Sequence, residues 1–438
     1  MAPSDDYDVI IIGGGPAGAT LGSLLGMAGH RTLVIEKDIH PRDHVGESLS
    51  PSTNSIFNRI GFLPKMELAG FVHKPGTGWT GPRTGLDKYV WIEISEAPPP
   101  DAVQLHTYNV ERDTMDAMLL RHAHELGADV LQGVTVKQVL FEADRAIGVR
   151  AAVSDGWERD LRAPVIVDAS GRRCILASQL GLKKKDPTFN QFAIFSWFTG
   201  VEPNPAGYEG FLLLQFLGLE RAWAWQIPLR NGIWSVGVVT DKADFQKSGR
   251  THEEFFHSLI TRNRNVQRNM RNAVRIRPWW IEADYSYKIE TLRGKGWLLI
   301  GDALRFVDPI FSSGVDVALF SAKYAFDAIE GVLRGQPEEA SFREFESMVS
   351  GGVEAWYELI ALFYRLQNLF TVFVVRPRFR RQVIRLLQGN LYVPDALQLA
   401  REMIATFEES YQKVMADPSN LLRVGALDPA RRAPSLPQ

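Results

Sequence analysis

Two short apolar runs, at 7–12 and 32–35, bracket Gly13-Gly14-Gly15-Pro16-Ala17-Gly18 and a helix-compatible stretch to Met27. Unbroken Val and Ile, rather than alternation, mark strands buried on both faces, so the first forty residues predict a parallel β-α-β unit. Runs at 165–171 and 297–303 predict two more such strands, the second ending in Gly301-Asp302 before a helix. Between them, runs at 191–199, 210–216, 222–227 and 232–239 predict an antiparallel sheet with aromatic residues on one face. From about Ser321 to about Met415 the spacing becomes helical. The longest apolar stretch, 359–375, is interrupted by Arg365, Gln367 and Asn368. A membrane span needs about 20 mostly apolar residues, so this stretch predicts a buried or covered helix, with a docking or membrane-touching surface as the alternative. The Pro- and Arg-rich tail from Asp428 predicts fraying. The fold class is α/β, with no internal repeat.

Composition excludes several classes. A chain of 438 residues implies two or three domains or one large composite, and 45% hydrophobic with 23% charged residues excludes wholesale disorder. Forty-nine basic against 51 acidic residues give a net charge of -2, without the basic excess that a nucleic-acid partner requires. The single cysteine, Cys174, can form neither an internal disulfide nor a thiolate metal cage. The opening MAPSDDYD is acidic where a secretory signal is basic. Together these predict a reduced, cytoplasmic enzyme without a membrane span or metal.

Gly13-x-Gly15-x-x-Gly18 directly follows a strand and opens a helix, which is the context that gives the triplet meaning. The first glycine makes a tight turn, the second admits a pyrophosphate, and the third permits close helix–strand packing. Glu36, ending the second strand, is placed to accept ribose hydrogen bonds. Arg112, in Val110-x-Arg112-x-x-x-Asp116, offers a guanidinium to a phosphate or flavin edge.

In this order, these pieces resemble the FAD-dependent monooxygenase superfamily with the para-hydroxybenzoate hydroxylase fold, over roughly residues 5 to 330. The resemblance implies FAD, with its adenosine on Glu36 and its pyrophosphate over Gly13, Gly15, Ala17 and Gly18. It also implies Lys37, Arg42, Ser48 and Arg112 around the cofactor, Asp302 at the ribityl chain, and Pro309 and Gly314 beside it. It divides the chain into a Rossmann-type FAD-binding domain at 1–190 plus 285–330, with insertions near 75–110, a substrate-covering sheet at 191–284, and a helical C-terminal region at 331–438.

Trp223-x-Trp225-x-Ile227-Pro228 puts two indoles on one face of a strand. Alone, such a pair is equally well explained by core packing. Within a flavoprotein it is similar to the motif of flavin-dependent halogenases. The 70–76 stretch resembles the region carrying the halogenase lysine, which implies Lys74; as a bare residue Lys74 reads as a surface charge. The 306–314 stretch matches F-x-x-P-x-x-S-x-G, which implies a halide held at Ser312, Ser313 and Gly314, although a structural turn gives the same residues. The resemblance then implies that reduced FAD and dioxygen oxidise chloride or bromide to hypohalous acid. Trp223 and Trp225 keep substrate from the flavin, and Lys74 hydrogen-bonds the hypohalous acid or forms a haloamine before electrophilic aromatic substitution.

Tryptophan halogenases carry a glutamate where this chain has Phe311. An apolar residue cannot act as that base, so the acceptor brings its own activation, as a phenol or an electron-rich pyrrole does. Gly46-Glu47-Ser48 also resembles halogenases of phenolic or carrier-bound substrates. The expectation is a phenolic acceptor, free or tethered to a carrier protein. The substrate pocket is assigned to Phe311 and Trp79, with Trp91, Trp197 and Phe198 as further lining or, for any one of them, core. No second glycine fingerprint follows a strand, so a separate nicotinamide domain is not expected; the resemblance implies a separate NADH-dependent flavin reductase, with reduction in place as the alternative. Arg376-x-Arg378-x-Arg380-Arg381 reads as a solvated basic helix end or as a docking face for an acidic carrier. The rivals are a flavin aromatic hydroxylase, a prenyl-chain reductase and a non-catalytic flavin-binding homologue. Few oxidisable thiols would suit a chain that makes hypohalous acid.

Overall fold

In the computed structural model, residues 6–80, 89–186, 188–219, 221–283, 286–306 and 308–423 are described. The tail from Asp428, and Val307 of the turn motif, lie outside them. The chain divides into two compact units: Met1–Gly70, Val110–Pro187 and Ser286–Val353 form one, and Phe71–Asn109, Thr188–Tyr285 and Glu354–Gln438 the other.

The first unit is built on a six-stranded sheet ordered Arg293–Gly294, Trp297–Leu299, Val165–Asp168, Val9–Ile12, Thr32–Glu36, Asp129–Gln132. Every pairing is parallel except the first. All four residues of Val9–Ile12 are buried, as an apolar strand covered on both faces requires. The glycine loop leaves this central strand and enters the helix Pro16–Met27. The helix expected from about Ser321 begins earlier, at Ser313–Leu333. Two three-stranded antiparallel sheets accompany it in this unit, one of Val134–Glu142, Arg145–Val153 and Glu158–Arg162, the other of Lys183–Lys185, Tyr287–Ile289 and Arg305–Phe306.

The second unit is an eight-stranded sheet. Gln191–Thr199, Trp234–Asp241, Trp223–Pro228 and Leu212–Phe216 pair antiparallel, as the alternation predicts. Gly76–Thr80 then adds in parallel beside Leu212–Phe216 and carries Val90–Glu93 on its outer edge. The insertion near 75–110, expected in the FAD-binding region, therefore contributes strands to this sheet. A side chain at Gly76 would overlap Phe211, and one at Gly78 would overlap Trp91, so bare glycines let these strands close up. One face of the sheet, with Phe192, Ile194, Phe198, Val236 and Val238, packs on Phe255, Phe256, Leu259 and Val266 of two short helices.

The C-terminal helices Glu338–Arg365, Gln367–Val375, Pro377–Leu387 and Pro394–Ala416 do not stand apart as a third region. From Glu354 onward they belong to the sheet's unit, because their apolar faces find a core there: Phe363 meets Phe216 and Phe370 meets Trp79. The apolar stretch 359–375 is two helices, broken where Leu366 leaves helical geometry (φ -156, ψ 79). No single helix among the described residues is long and apolar enough to cross a membrane. The pair that flanks Leu366 reaches that composition jointly but is bent by 108°.

Candidate functional site

The nucleotide-loop glycines of the first unit are required for different reasons. Gly13 has φ +108, and a side chain there would overlap the Ala169 carbonyl. A side chain at Gly18 would overlap the Gly13 carbonyl, so the helix can close on the strand only without it. Among the described residues, a Cβ at Gly15 would meet only Arg42 Nη2, at 3.7 Å. The space there is a cradle open to an anion at the start of a helix that no side chain caps.

Around the loop, Glu36 is buried and accepts from Gly14 N (2.7 Å) and Asp38 N (2.9 Å), which fixes its carboxylate at the strand end. Lys37 pairs with Asp38 on the surface. Arg42 Nε and Ser48 Oγ are buried without a hydrogen-bond partner among the described residues, as groups awaiting a polar ligand would be. Gly301 packs against Ala17, where a Cβ would sit 2.9 Å from the alanine's own, and donates to Ser321 Oγ (2.9 Å). The turn bearing Asp302 is thereby held beside the first helix.

Arg112, expected at a phosphate or flavin edge, is buried and is held by partners within the protein. Its Nε and Nη2 donate to Asp116 (2.8 and 2.9 Å), and Nη1 donates to the Val45 carbonyl (2.7 Å). Burial pushes the Asp116 carboxyl up, but the Arg112 charge and hydrogen bonds outweigh it and hold Asp116 below the usual carboxylate range. The guanidinium thus positions the chain entering Gly46-Glu47-Ser48.

The turn expected to hold halide runs through a 3-10 segment, Pro309–Phe311, in which Asp308 accepts from Ile310 N (3.0 Å). Ser312 then adopts φ +56, ψ +28, a left-handed conformation that is costly for a residue with a side chain. The helix Ser313–Leu333 starts immediately after it, again without a side-chain cap. The N–H groups of Ser313 and Gly314 therefore lie at a helix N-terminus with no intrahelical acceptor. Phe311 is buried on the preceding turn.

In the second unit, Lys74 ends the short strand Val72–Lys74, which pairs with Thr107–Asn109. Its neighbour His73 approaches Gly210 so closely that any side chain at 210 would overlap the His73 carbonyl, and Asn109 Nδ2 donates to Gly210 O (3.0 Å). Lys74 is only 5% exposed, and burial pulls its ammonium from 10.5 down to about 7. This is no surface lysine.

Strand register gathers an aromatic face. Trp223 lies opposite Phe216, Trp225 opposite Leu214 and Gly237, and Trp79 opposite Leu214, which puts all of these side chains on one side of the sheet with Phe195 and Trp197. The indoles of Trp223 and Trp225 are 5.8 Å apart. Trp223 Nε1 donates to Tyr364 Oη (2.7 Å), and Trp225 Nε1 to Ser235 Oγ (3.1 Å). Trp79 is buried with no hydrogen-bond partner for its Nε1 among the described residues. Phe198 and Trp91 project from the opposite face, Phe198 into the core and Trp91 onto Tyr208 (3.9 Å between centroids), so neither joins this wall. Sequence reasoning missed Tyr364, Ser235 and Gly237. An isolated glycine inside a strand, as at 237, is itself a sign of close approach.

Comparison with known proteins places these features in context. The FAD binding domain family model matches residues 6–350. The 1H-pyrrole-2-carbonyl-(peptidyl-carrier protein) chlorinase of Pseudomonas fluorescens is 42% identical, over 92% of this chain and 94% of that protein. The corresponding brominase of Pseudoalteromonas luteoviolacea is 33% identical, over 89% and 93%. Among solved structures, the flavin-dependent brominase Bmp2 superposes with a TM-score of 0.81 at 31% identity, covering 92% of this chain and 99% of its own.

Proposed function

Because this chain belongs to the flavin-dependent halogenases, we propose that its acceptor is a pyrrole-2-carbonyl group tethered as a thioester to a peptidyl-carrier protein, and that it installs chloride. The observation that carries this reading is near full-length similarity, at 42% and 33% identity, to two proteins whose names specify that same acyl carrier. Phe311 supports it. With an apolar side chain at the position where tryptophan halogenases carry a glutamate, substitution needs a ring that stabilises its own cationic intermediate, as pyrrole does. The electron-rich acceptor expected from sequence is here a pyrrole in place of a phenol.

The balanced reaction consumes pyrrole C–H, chloride, dioxygen, reduced FAD and one proton, and yields C–Cl, FAD and two waters. Bound reduced FAD supplies the two electrons that let dioxygen oxidise halide to hypohalous acid. The Gly15 cradle and the helix start after it would take the pyrophosphate, with Arg42 beside the loop, and Glu36 would accept from the adenosine ribose. The N–H groups of Ser313 and Gly314 hold the halide, stabilised by the helix N-terminus. Lys74, already part-neutral near pH 7, presents an amine lone pair to hypohalous acid. Trp223 and Trp225, locked by Tyr364 and Ser235, form a dry wall that water and substrate do not cross. A separate NADH-dependent flavin reductase supplies the reduced flavin, in the cytoplasm.

The test is mass spectrometry of pyrrolyl-loaded carrier incubated with enzyme, FAD, flavin reductase, NADH and either chloride or bromide. A chlorine isotope pattern on the pyrrole, absent with Lys74→Ala while FAD still binds, is the expected result. Hydroxylation without halogenation, or chlorination of free phenols but never of the loaded carrier, would refute it.

A further inference from the structure

The chain is nearly neutral overall, yet no Asp or Glu occurs between Glu358 and Asp395, while Arg365, Arg376, Arg378, Arg380, Arg381 and Arg385 all fall in that interval. Five of the six lie on or at the edge of one helix, Pro377–Leu387. Two kinds of arginine can be told apart there. Arg380 turns inward: its Nε and Nη2 form a bidentate pair with Glu96 (2.6 and 2.5 Å), and Nη2 also donates to the Trp91 carbonyl (2.8 Å). Arg385 is half-buried, with Asp101 in its electrostatic surroundings. Arg376, Arg378 and Arg381 are exposed and face no carboxylate among the described residues. Beside them, Val375 is 52% exposed at the end of the preceding helix, next to exposed Pro377.

This basic face is a rigid platform. Gln388 Nε2 donates to the carbonyls of Ile94 (3.2 Å) and Ala97 (2.9 Å), so the far end of the helix is pinned to the same segment that Arg380 holds. Phe379 stacks on Phe373 (4.5 Å), which meets Phe407; Phe407 meets Phe370, and Phe370 meets Trp79 on the aromatic face. A continuous run of ring contacts thus joins the arginine helix to the sheet that carries Trp223 and Trp225. A structural surface helix has no need to collect three exposed cations that face no carboxylate among the described residues around its first turns. A like-charged cluster lowers stability unless something acidic covers it.

We propose that Arg376, Arg378 and Arg381, with Val375 and Pro377 as their apolar centre, form the docking surface for an acidic carrier domain bearing the acyl substrate. The inference rests on the carrier-bound acceptor proposed above and adds where the carrier sits. Its acidic helix meets the three guanidinium groups, which suit bidentate recognition of carboxylate and of the phosphate at the base of the pantetheine arm. The contact is steering in character, sensitive to salt, and acts on capture of the carrier rather than on the chemical step.

The experiment compares wild type with Arg378→Glu/Arg381→Glu on two substrates: the pyrrolyl-loaded carrier, and the same acyl group on free pantetheine. The expected result is a KM for loaded carrier raised about tenfold or more, with kcat and pantetheine kinetics unchanged, as loss of screened charge pairs dictates. A carrier whose acidic surface residues are replaced by lysine should restore the double variant and impair wild type. An unchanged carrier KM, or an equal loss on both substrates, overturns the docking surface and leaves the proposed acceptor standing. Wild type that turns over acyl-pantetheine but not the loaded carrier overturns the acceptor reading itself. Charge-dependent binding to phosphatidylserine vesicles, without effect on carrier kinetics, would make this a membrane-facing surface and also overturn the proposal.

Discussion

The indole of Trp225 occupies the space that any side chain at Gly237, directly opposite on the neighbouring strand, would need. Ser235, two residues back on the same face, accepts the indole N–H. Glycine below and hydroxyl beside it leave the ring one seat. Gly237→Ala should therefore overpack the face and cost about 1–3 kcal/mol. It should also lower chlorination while leaving FAD affinity unchanged. Thermal melts, flavin titration and product mass spectra of the variant check this; a variant with wild-type melting and turnover would mean that Trp225 is seated otherwise.

Lys74 predicts a pH dependence with a definite sign. An unfolded lysine keeps its proton to about 10.5, whereas burial makes the folded one release it near 7. The unfolded chain binds more protons between those values, so Lys74 makes stability rise with pH there, by about 1.4 kcal/mol per unit. Urea unfolding of wild type and Lys74→Met across that range should show this slope lost in the variant. If the neutral amine receives the halogen, the chlorination rate rises through the same pH; a rate that falls there assigns the ammonium form instead.

Tyr364 Oη accepts the Trp223 N–H, and both rings are buried. Tyr364→Phe keeps the ring but strands an indole donor in the interior, at a cost of about 1–3 kcal/mol. The melting temperature should drop by a few degrees. Tryptophan emission should also shift as Trp223 loses its partner, which a purely apolar contact would not produce.

The Arg112–Asp116 pair predicts acid lability. Its carboxyl titrates below the usual range when folded, so the pair's stabilisation is complete above about pH 4 and is lost as pH falls through the depressed folded value. Asp116→Asn leaves a buried guanidinium without a counter-charge and should cost about 3–5 kcal/mol. Denaturant titrations at neutral and acid pH should show the variant destabilised at neutral pH and its acid limb flattened.

The nucleotide unit was legible because its cues are local. Three glycines, a strand run and a terminal acid all lie within thirty residues. The paired indoles were legible because period-2 alternation settles which side chains share a face. What lay beneath them was not, since the pairing of Trp225 with Gly237 depends on strand register, and register is not written in either strand alone. Val72–Lys74 is too short to display any period, so its place in the second unit was hidden. The break at Leu366 carries no proline or glycine to announce it. Arg112 is the case where a local cue was present: an acid four residues on, at Asp116, is helical ion-pair spacing.

Each of the two units is assembled from three separate stretches of chain, and the last stretch of each begins beyond residue 285. During synthesis, neither can reach its final form until most of the polypeptide has left the ribosome. The aromatic sheet waits longest, because Phe363, Tyr364 and Phe370 arrive after its strands are complete. Until then a wall of tryptophan and phenylalanine has no cover and is open to self-association. Soluble yield in a heterologous host should therefore depend on slow translation, low temperature or chaperone supply more than on the stability of the finished fold.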